Sequence, residues 1–177
     1  MTRFRYYVAS SLDGYIADRE NAIDWLTAFG FAEFTPDYER FIVEVGAIVM
    51  GASTYEFILG EGPDAYTYEV PAWVLTHRDL PRVRGRDVRF HAGDVASVID
   101  DVAAAAGDRD VWLVGGGGVV AQFARLGRLD ELIVTIMPVV LGGGAPLLPV
   151  DSDLRLRLTA RHDFPSGAVG LRYDVVR

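Results

Sequence analysis

The sequence predicts an α/β fold: a mainly parallel central sheet flanked by helices, with a C-terminal antiparallel hairpin. Three observations carry this reading. Short, strongly apolar runs alternate with helix-patterned segments and are joined by short turns, the sign of strand–helix units feeding a parallel sheet. Three of those runs end in glycine, hydroxyl or cationic residues, and in an open α/β sheet the carboxyl ends of the strands share one crevice. The last two strand-like runs flank Pro165-Ser166-Gly167, a turn signal between edge strands. No repeat or linker interrupts the 177 residues, so residues 1–177 read as one domain.

Taken in order, Phe4 to Ser10 is the first strand, followed by Ser11-Leu12-Asp13-Gly14-Tyr15-Ile16-Ala17, where Asp-Gly marks a turn. Asn21 to Phe34 is a loop rich in aromatic residues (Trp25, Phe29, Phe31, Phe34), either a lid or pocket wall or a segment folded onto the core. Thr35-Pro36 predicts an N-cap with proline at the first helical position, and Tyr38, Phe41, Ile42 and Val45 follow at helical spacing. Asp37 falls in the first turn, where it either complements the helix dipole or faces a pocket. Ala47 to Met50 is a buried strand running into Gly51-Ala52-Ser53-Thr54, whose hydroxyls can cap a helix or meet a phosphate. Trp73-Val74-Leu75 is a third strand ending in Thr76-His77-Arg78, and an arginine there can act as a fork for phosphate. Val88 to Phe90 is a short strand, and Asp94 caps a helix with Val95, Val98, Ile99 and Val102 on one face.

The stretch with the most chemistry is Val111-Trp112-Leu113-Val114 followed by Gly115, Gly116, Gly117 and Gly118, then Val119 and Val120. It reads as a buried strand passing into a short helix. Glycines at such a junction let a backbone or a ligand come close, and the unpaired N–H groups of the first helical turn favour an anion. The dinucleotide fingerprint of doubly wound folds does not fit, because Val120 stands where its third Gly or Ala is needed. Leu132 to Met137 is a strand, Pro138 to Pro146 a loop dense in Gly and Pro, and Leu154–His162 with Ala168–Val176 form the hairpin.

Composition excludes several chemistries. There is no cysteine, hence no disulfide, thiolate nucleophile or cysteine-ligated metal. All 17 basic residues are arginine, which removes Schiff-base and Walker A chemistry. The 3 histidines lack metal-ligand spacing, so no metal is expected. A net charge of −8 argues against nucleic acid as a partner. The most apolar window, Leu132 to Val150, is broken by prolines and glycines and predicts no membrane span. Met1 to Val8 has no basic-then-apolar leader pattern, and a cytoplasmic location is expected.

Four segments in order, Ser11 to Ala17, Val49-Met50-Gly51-Ala52-Ser53-Thr54-Tyr55-Glu56, Val114-Gly115-Gly116-Gly117 and Pro138-Val139-Val140-Leu141-Gly142, make the chain resemble the dihydrofolate reductase-like superfamily. It is most similar to the reductase domain of riboflavin biosynthesis, the RibD C-terminal domain, and its stand-alone relatives. Asn21-Ala22-Ile23-Asp24-Trp25 resembles the mobile loop of dihydrofolate reductases.

The resemblance implies NADPH as cofactor. Ala9 and Ile16 would lie against the nicotinamide, and Gly51, Ser53 and Thr54 would hold the diphosphate from one side. Gly115 to Gly118, with Val119, would hold it from the other, and Thr76, His77 and Arg78 would lie near the 2′-phosphate. Ala52 stands where the family usually has arginine, so the 2′-phosphate rests on Arg78; Tyr15 stands where riboflavin reductases usually have lysine. The expected reaction is hydride transfer to a C=N or C=O of a pyrimidine- or pterin-like compound, most like 5-amino-6-(5-phosphoribosylamino)uracil reduction. The proton would come from Asp37, an ordered water or Asp13. A dihydrofolate reductase and a non-catalytic NADPH-binding protein are the alternatives. A homodimer is also expected, with Phe57, Tyr66 and Tyr68 as candidate surface residues.

Overall fold

The computed structural model describes residues 1–177. In chain order the elements are β1 (Phe4–Ser11), β2 (Tyr15–Ala17), α1 (Asp24–Thr27), α2 (Thr35–Ile42), β3 (Val45–Gly51), α3 (Ala52–Gly60), β4 (Ala72–Leu75) and β5 (Val88–His91). A 3-10 turn (Val95–Ser97) leads into α4 (Ile99–Ala106), β6 (Asp110–Gly115), α5 (Gly117–Arg125), β7 (Glu131–Met137), β8 (Ala145–Pro146), β9 (Leu156–Asp163) and β10 (Val169–Val175). The main sheet has 8 strands in the order β5-β4-β3-β6-β1-β7-β10-β9, and β2 pairs with β8 in a small second sheet. The pairs from β5 through β7 are parallel, whereas β10 runs antiparallel to both β7 and β9. The expected fold is thus present, hairpin included.

Both faces of the sheet are covered because successive residues of a strand point to opposite sides. Ala47 and Val49 of β3, with Val111 and Leu113 of β6, join Val98, Ile99 and Val102 of the α4 region and Val120 and Phe123 of α5 in one core. Ile48 and Met50, with Trp112, join Phe41 of α2 and Tyr55 of α3 in the other. Tyr7 belongs to this second face, stacked on Phe41 with ring centroids 4.6 Å apart.

At the amino ends of the parallel strands a polar cluster closes the sheet. Arg5 and Glu131 are each only 2% exposed, and Arg5 Nε lies 2.5 Å from the Glu131 carboxylate. Glu44 and Asp110 both accept from Nη1 of that guanidinium, at 2.5 and 3.2 Å. A charge that deep is tolerated only when paired in this way.

Several local expectations are corrected. Thr35 does not cap α2; Phe34 holds that position, and the Thr35 hydroxyl donates instead to the Phe31 carbonyl at 2.9 Å. Neither Ser53 nor Thr54 caps α3, which begins from an extended Gly51 without a side-chain cap. The segment 21–34 is not wholly loop, since it contains α1. Tyr66 is buried in the second core at 5% exposure, not on the surface, and Tyr68 is partly buried against that core. Asp94 caps the 3-10 turn, its carboxylate accepting from the Ala96 N–H at 3.0 Å, but not α4, which starts from Val98 without a side-chain cap.

Candidate functional site

Two cavities open at the carboxyl ends of β1, β3 and β6, and they share a wall. The larger, about 690 Å³, is a crevice lined by Ala9, Ile16, Gly51, Ser53, Thr54, Gly115, Gly116, Gly117, Gly118 and Val119, together with Val8, Leu26, Leu75, Val114 and others. All ten of the first-named residues were expected from sequence to contact a dinucleotide. Adjacency of β3 and β6 brings α3 and α5 to start side by side, so that a Cβ on Gly51 would stand 3.2 Å from Val119 Cγ2. Two helix N-termini therefore open onto one crevice, each with the positive end of its dipole outward.

The four glycines have different tasks. Gly115 has a φ of +141°, a value that L side chains rarely adopt, and the Gly115–Gly116 peptide is cis. A Cβ on Gly117 would lie 2.3 Å from the Pro146 carbonyl oxygen and 2.5 Å from that of Leu147, so this glycine admits the chain leaving β8. A Cβ on Gly118 would meet nothing within 4 Å. The N–H groups of Val119 and Val120 both close onto the Gly116 carbonyl, which leaves those of Gly117 and Gly118 without a partner inside the helix. Open space beside unpaired N–H groups fits a diphosphate.

The second cavity, about 520 Å³, is lined by 13 residues of which 11 are hydrophobic. Tyr7 and Ala9 of β1, Trp112 and Val114 of β6 and Thr135 and Met137 of β7 form its floor; Leu26, Phe31, Phe34, Tyr38 and Tyr68 form its walls. The two cavities meet at Val8, Ala9, Leu26 and Val114, which line both. The aromatic loop is both things it could have been. Phe31 and Phe34 face the cavity, while Trp25 and Phe29 pack against the small core of Met137, Phe164 and Ala168. Burial pushes the Tyr7 phenol up to about 12 and raises those of Tyr38 and Tyr68 as well, so all three stay neutral hydrogen-bonding groups.

The remaining expected residues lie elsewhere. Thr76, His77 and Arg78 follow β4 and do not line the crevice, although Leu75 before them does. Both Nη atoms of Arg78 bond the Glu56 carboxylate, at 2.8 and 2.7 Å. Asp37 does not line the apolar cavity. It sits in a neighbouring groove with Arg40, Arg161, His162 and Arg172, paired with Arg40 and accepting from or facing His162 Nδ1 at 2.8 Å. Asp13 lines neither cavity. Its carboxylate accepts from the Leu141 and Gly142 N–H groups at 3.0 and 2.7 Å and from the Ser11 hydroxyl at 2.7 Å. The Leu141 N–H above all holds its pKa down at about 2, so Asp13 fastens a loop as an ionised group and is a poor proton donor. No group of residues has the makings of a metal site, and no helix is long and apolar enough to cross a membrane.

Val8, Leu26, Tyr68, Trp112, Val114 and Met137 were not expected as site residues; Tyr68 was expected on a dimer surface, and Trp112 and Val114 only as part of a buried strand. The one signal available was position: Val8, Val114 and Met137 occupy the carboxyl ends of parallel strands, where the crevice of such a sheet must lie.

Comparison with known proteins agrees with this geometry. Residues 64–169 match the RibD C-terminal domain. YwjB of Bacillus subtilis (strain 168), itself uncharacterized, is 31% identical over 168 residues, 94% of each chain. A crystal structure from Shewanella sp. PV-4, of a protein assigned by name to riboflavin biosynthesis, superposes with a TM-score of 0.81 at 26% identity, each chain covered over 100%. Dihydrofolate reductase from Enterococcus faecalis, complexed with NADP(H) and RAB-propyl, gives a TM-score of 0.64 at 15% identity, over 99% of this chain and 97% of that one. The fold is that of dihydrofolate reductase.

Proposed function

We propose that this chain, which belongs to the RibD C-terminal domain family, is an NAD(P)H-dependent reductase acting on a C=N or C=O of a pyrimidine- or pterin-like compound. The reaction would be most like that of 5-amino-6-(5-phosphoribosylamino)uracil reductase. The bound dinucleotide supplies the hydride. The observation that carries the reading is the shared wall at Val8, Ala9, Leu26 and Val114, where a crevice suited to a dinucleotide meets an apolar cavity.

The chain's own work is binding, orientation and exclusion of water. The N–H groups of Gly117 and Gly118 and the Ser53 and Thr54 hydroxyls would hold the diphosphate. Ala9, the smallest side chain on the common wall, leaves two planar groups room to approach within roughly 3–3.5 Å. Leu26, Phe31 and Phe34 cover the reacting face from solvent. Asp37 is held in the next groove by Arg40 and His162, so a water at the cavity mouth is the better proton source. The same placement withdraws support from the dihydrofolate alternative, since no carboxylate lines the cavity. A homodimer belongs to this proposal on the family resemblance alone, with Tyr66 and Tyr68 turned inward.

The test is titration of the purified protein with NADPH and NADH, followed by the fluorescence of the reduced nicotinamide. Saturable binding of at least one is expected. No binding of either would remove the reductase reading.

A further inference from the structure

Resting on the reductase reading, we infer that the compound reduced here is neutral, flat and largely apolar, and carries no phosphate. The cavity that would receive it has no charged residue among its 13 lining residues, and 11 of them are hydrophobic. Its volume, about 520 Å³, suits a compound of two or three fused rings. Tyr68 and Tyr38 both stand edge-on to Trp112, with centroids 5.7 and 6.0 Å away, giving the slot aromatic walls.

The polar groups that remain are few and neutral. The Trp112 indole N–H is spent on the Tyr7 carbonyl at 3.2 Å and the Thr35 hydroxyl on the Phe31 carbonyl at 2.9 Å. Tyr7, Tyr38, Tyr68 and Thr135 also line the cavity, and their hydroxyls are uncharged. Uncharged hydroxyls can bond a ring carbonyl or ring nitrogen; they cannot neutralise a phosphate, and a charge buried without a partner is driven back to water.

Cations do exist nearby, past Tyr7 and Thr135 in the adjoining groove, but all except Arg172 are closely paired. Arg40 pairs with Asp37, and Arg161 with Asp163 at 2.8 Å. Arg172 leans towards Glu131 at 3.9 Å, and His162 stands on Asp37 at 2.8 Å. A phosphate reaching that groove would compete with Asp37, the one carboxylate lining it, for Arg40 and His162. The chain has no lysine to add.

The experiment compares matched substrates with the full chain and saturating NADPH. The pair is 5-amino-6-(5-phosphoribosylamino)uracil and its dephosphorylated riboside, identical in the reducible ring. A neutral dihydropterin and a neutral fused-ring dione extend the series. The expected result is a kcat/KM for the best neutral member at least about tenfold above that for the phosphorylated compound, and a riboside preferred over its phosphate. Arg172→Gln is expected to leave the riboside-to-phosphate ratio within about twofold. Equal use or preference for the phosphorylated compound overturns the inference, as does no turnover of any neutral member, or a fall in phosphate use alone in Arg172→Gln. Dinucleotide binding, measured separately, distinguishes the failures: its loss ends the reductase reading, whereas its retention with phosphate preference ends this inference only.

Discussion

Gly118→Ala separates the needs of the fold from those of the ligand. Gly118 is the second residue of α5 and lines the crevice, and a methyl there meets no atom within 4 Å. Without ligand the substitution therefore has no steric cost, and alanine's better helix propensity stabilises by up to ~0.5–1 kcal/mol, less in a first turn than mid-helix. For a chain of 177 residues that is a rise in Tm of about 1–4 °C. With a dinucleotide bound, the methyl intrudes where a phosphate oxygen would meet the Gly118 N–H. Loss of one charge-assisted hydrogen bond costs about 1.5–3 kcal/mol, so Kd should weaken by about ten- to a hundredfold. Gly117→Ala is the counterpart. Its methyl would press on the Pro146 and Leu147 carbonyl oxygens at 2.3 and 2.5 Å, backbone that cannot turn aside as a side chain would. A loss of about 1–3 kcal/mol is expected there. Thermal unfolding of the free proteins and dinucleotide titration read both effects. Wild-type affinity in Gly118→Ala would refute the placement of the diphosphate, and an unchanged Tm in Gly117→Ala would refute the assigned close approach.

Other outcomes follow from the same geometry. Glu131→Ala leaves buried Arg5 short of its one fully buried partner and should cost about 3–5 kcal/mol in urea unfolding, while dinucleotide affinity at the far end of the strands stays unchanged. Asp13, with its pKa held at about 2, contributes stability that is fully present above the ordinary aspartate range and is lost as pH falls from about 4 towards 2. Asp13→Asn should accordingly lower Tm at neutral pH, with the gap to wild type closing across that interval. Glu56→Gln releases Arg78 from its two-pronged contact; NADPH affinity should rise several-fold with that of NADH unchanged, and equal effects on both would exclude Arg78 from the 2′-phosphate. Asp37→Asn should keep kcat within about threefold of wild type across a pH series, and a larger, pH-dependent loss would restore Asp37 as the proton donor.

The parallel sheet was legible because its information is local. Runs such as Ala47–Met50 and Val111–Val114 are too apolar for a strand with a wet face, and glycine follows each. The crevice was legible for the same reason, since Gly51 and Gly115–Gly118 mark strand ends and parallel strand ends share one rim. The apolar cavity was not. Leu26, Tyr68, Trp112 and Met137 come from four distant segments; Leu26, Trp112 and Met137 each read alone as an ordinary core residue, and Tyr68 as a surface one. Asp37 illustrates the limit for helices. Spacing put Tyr38 and Phe41 towards the sheet, but only the position of β9 and β10 decides that the next face meets His162 and not the cavity. The contact that engages Arg78 was likewise invisible, because Glu56 lies 22 residues away on another element.

The central claim is that a reduced dinucleotide lies across the ends of β3, β6 and β1 with its nicotinamide at the mouth of the aromatic cavity. A crystal structure of the protein grown with NADPH measures this directly. The diphosphate is expected on the Gly117 and Gly118 N–H groups and the nicotinamide ring against Ala9, its reactive face towards Trp112 and Tyr68. A dinucleotide bound away from the glycines, or with its nicotinamide turned out to solvent, would contradict it.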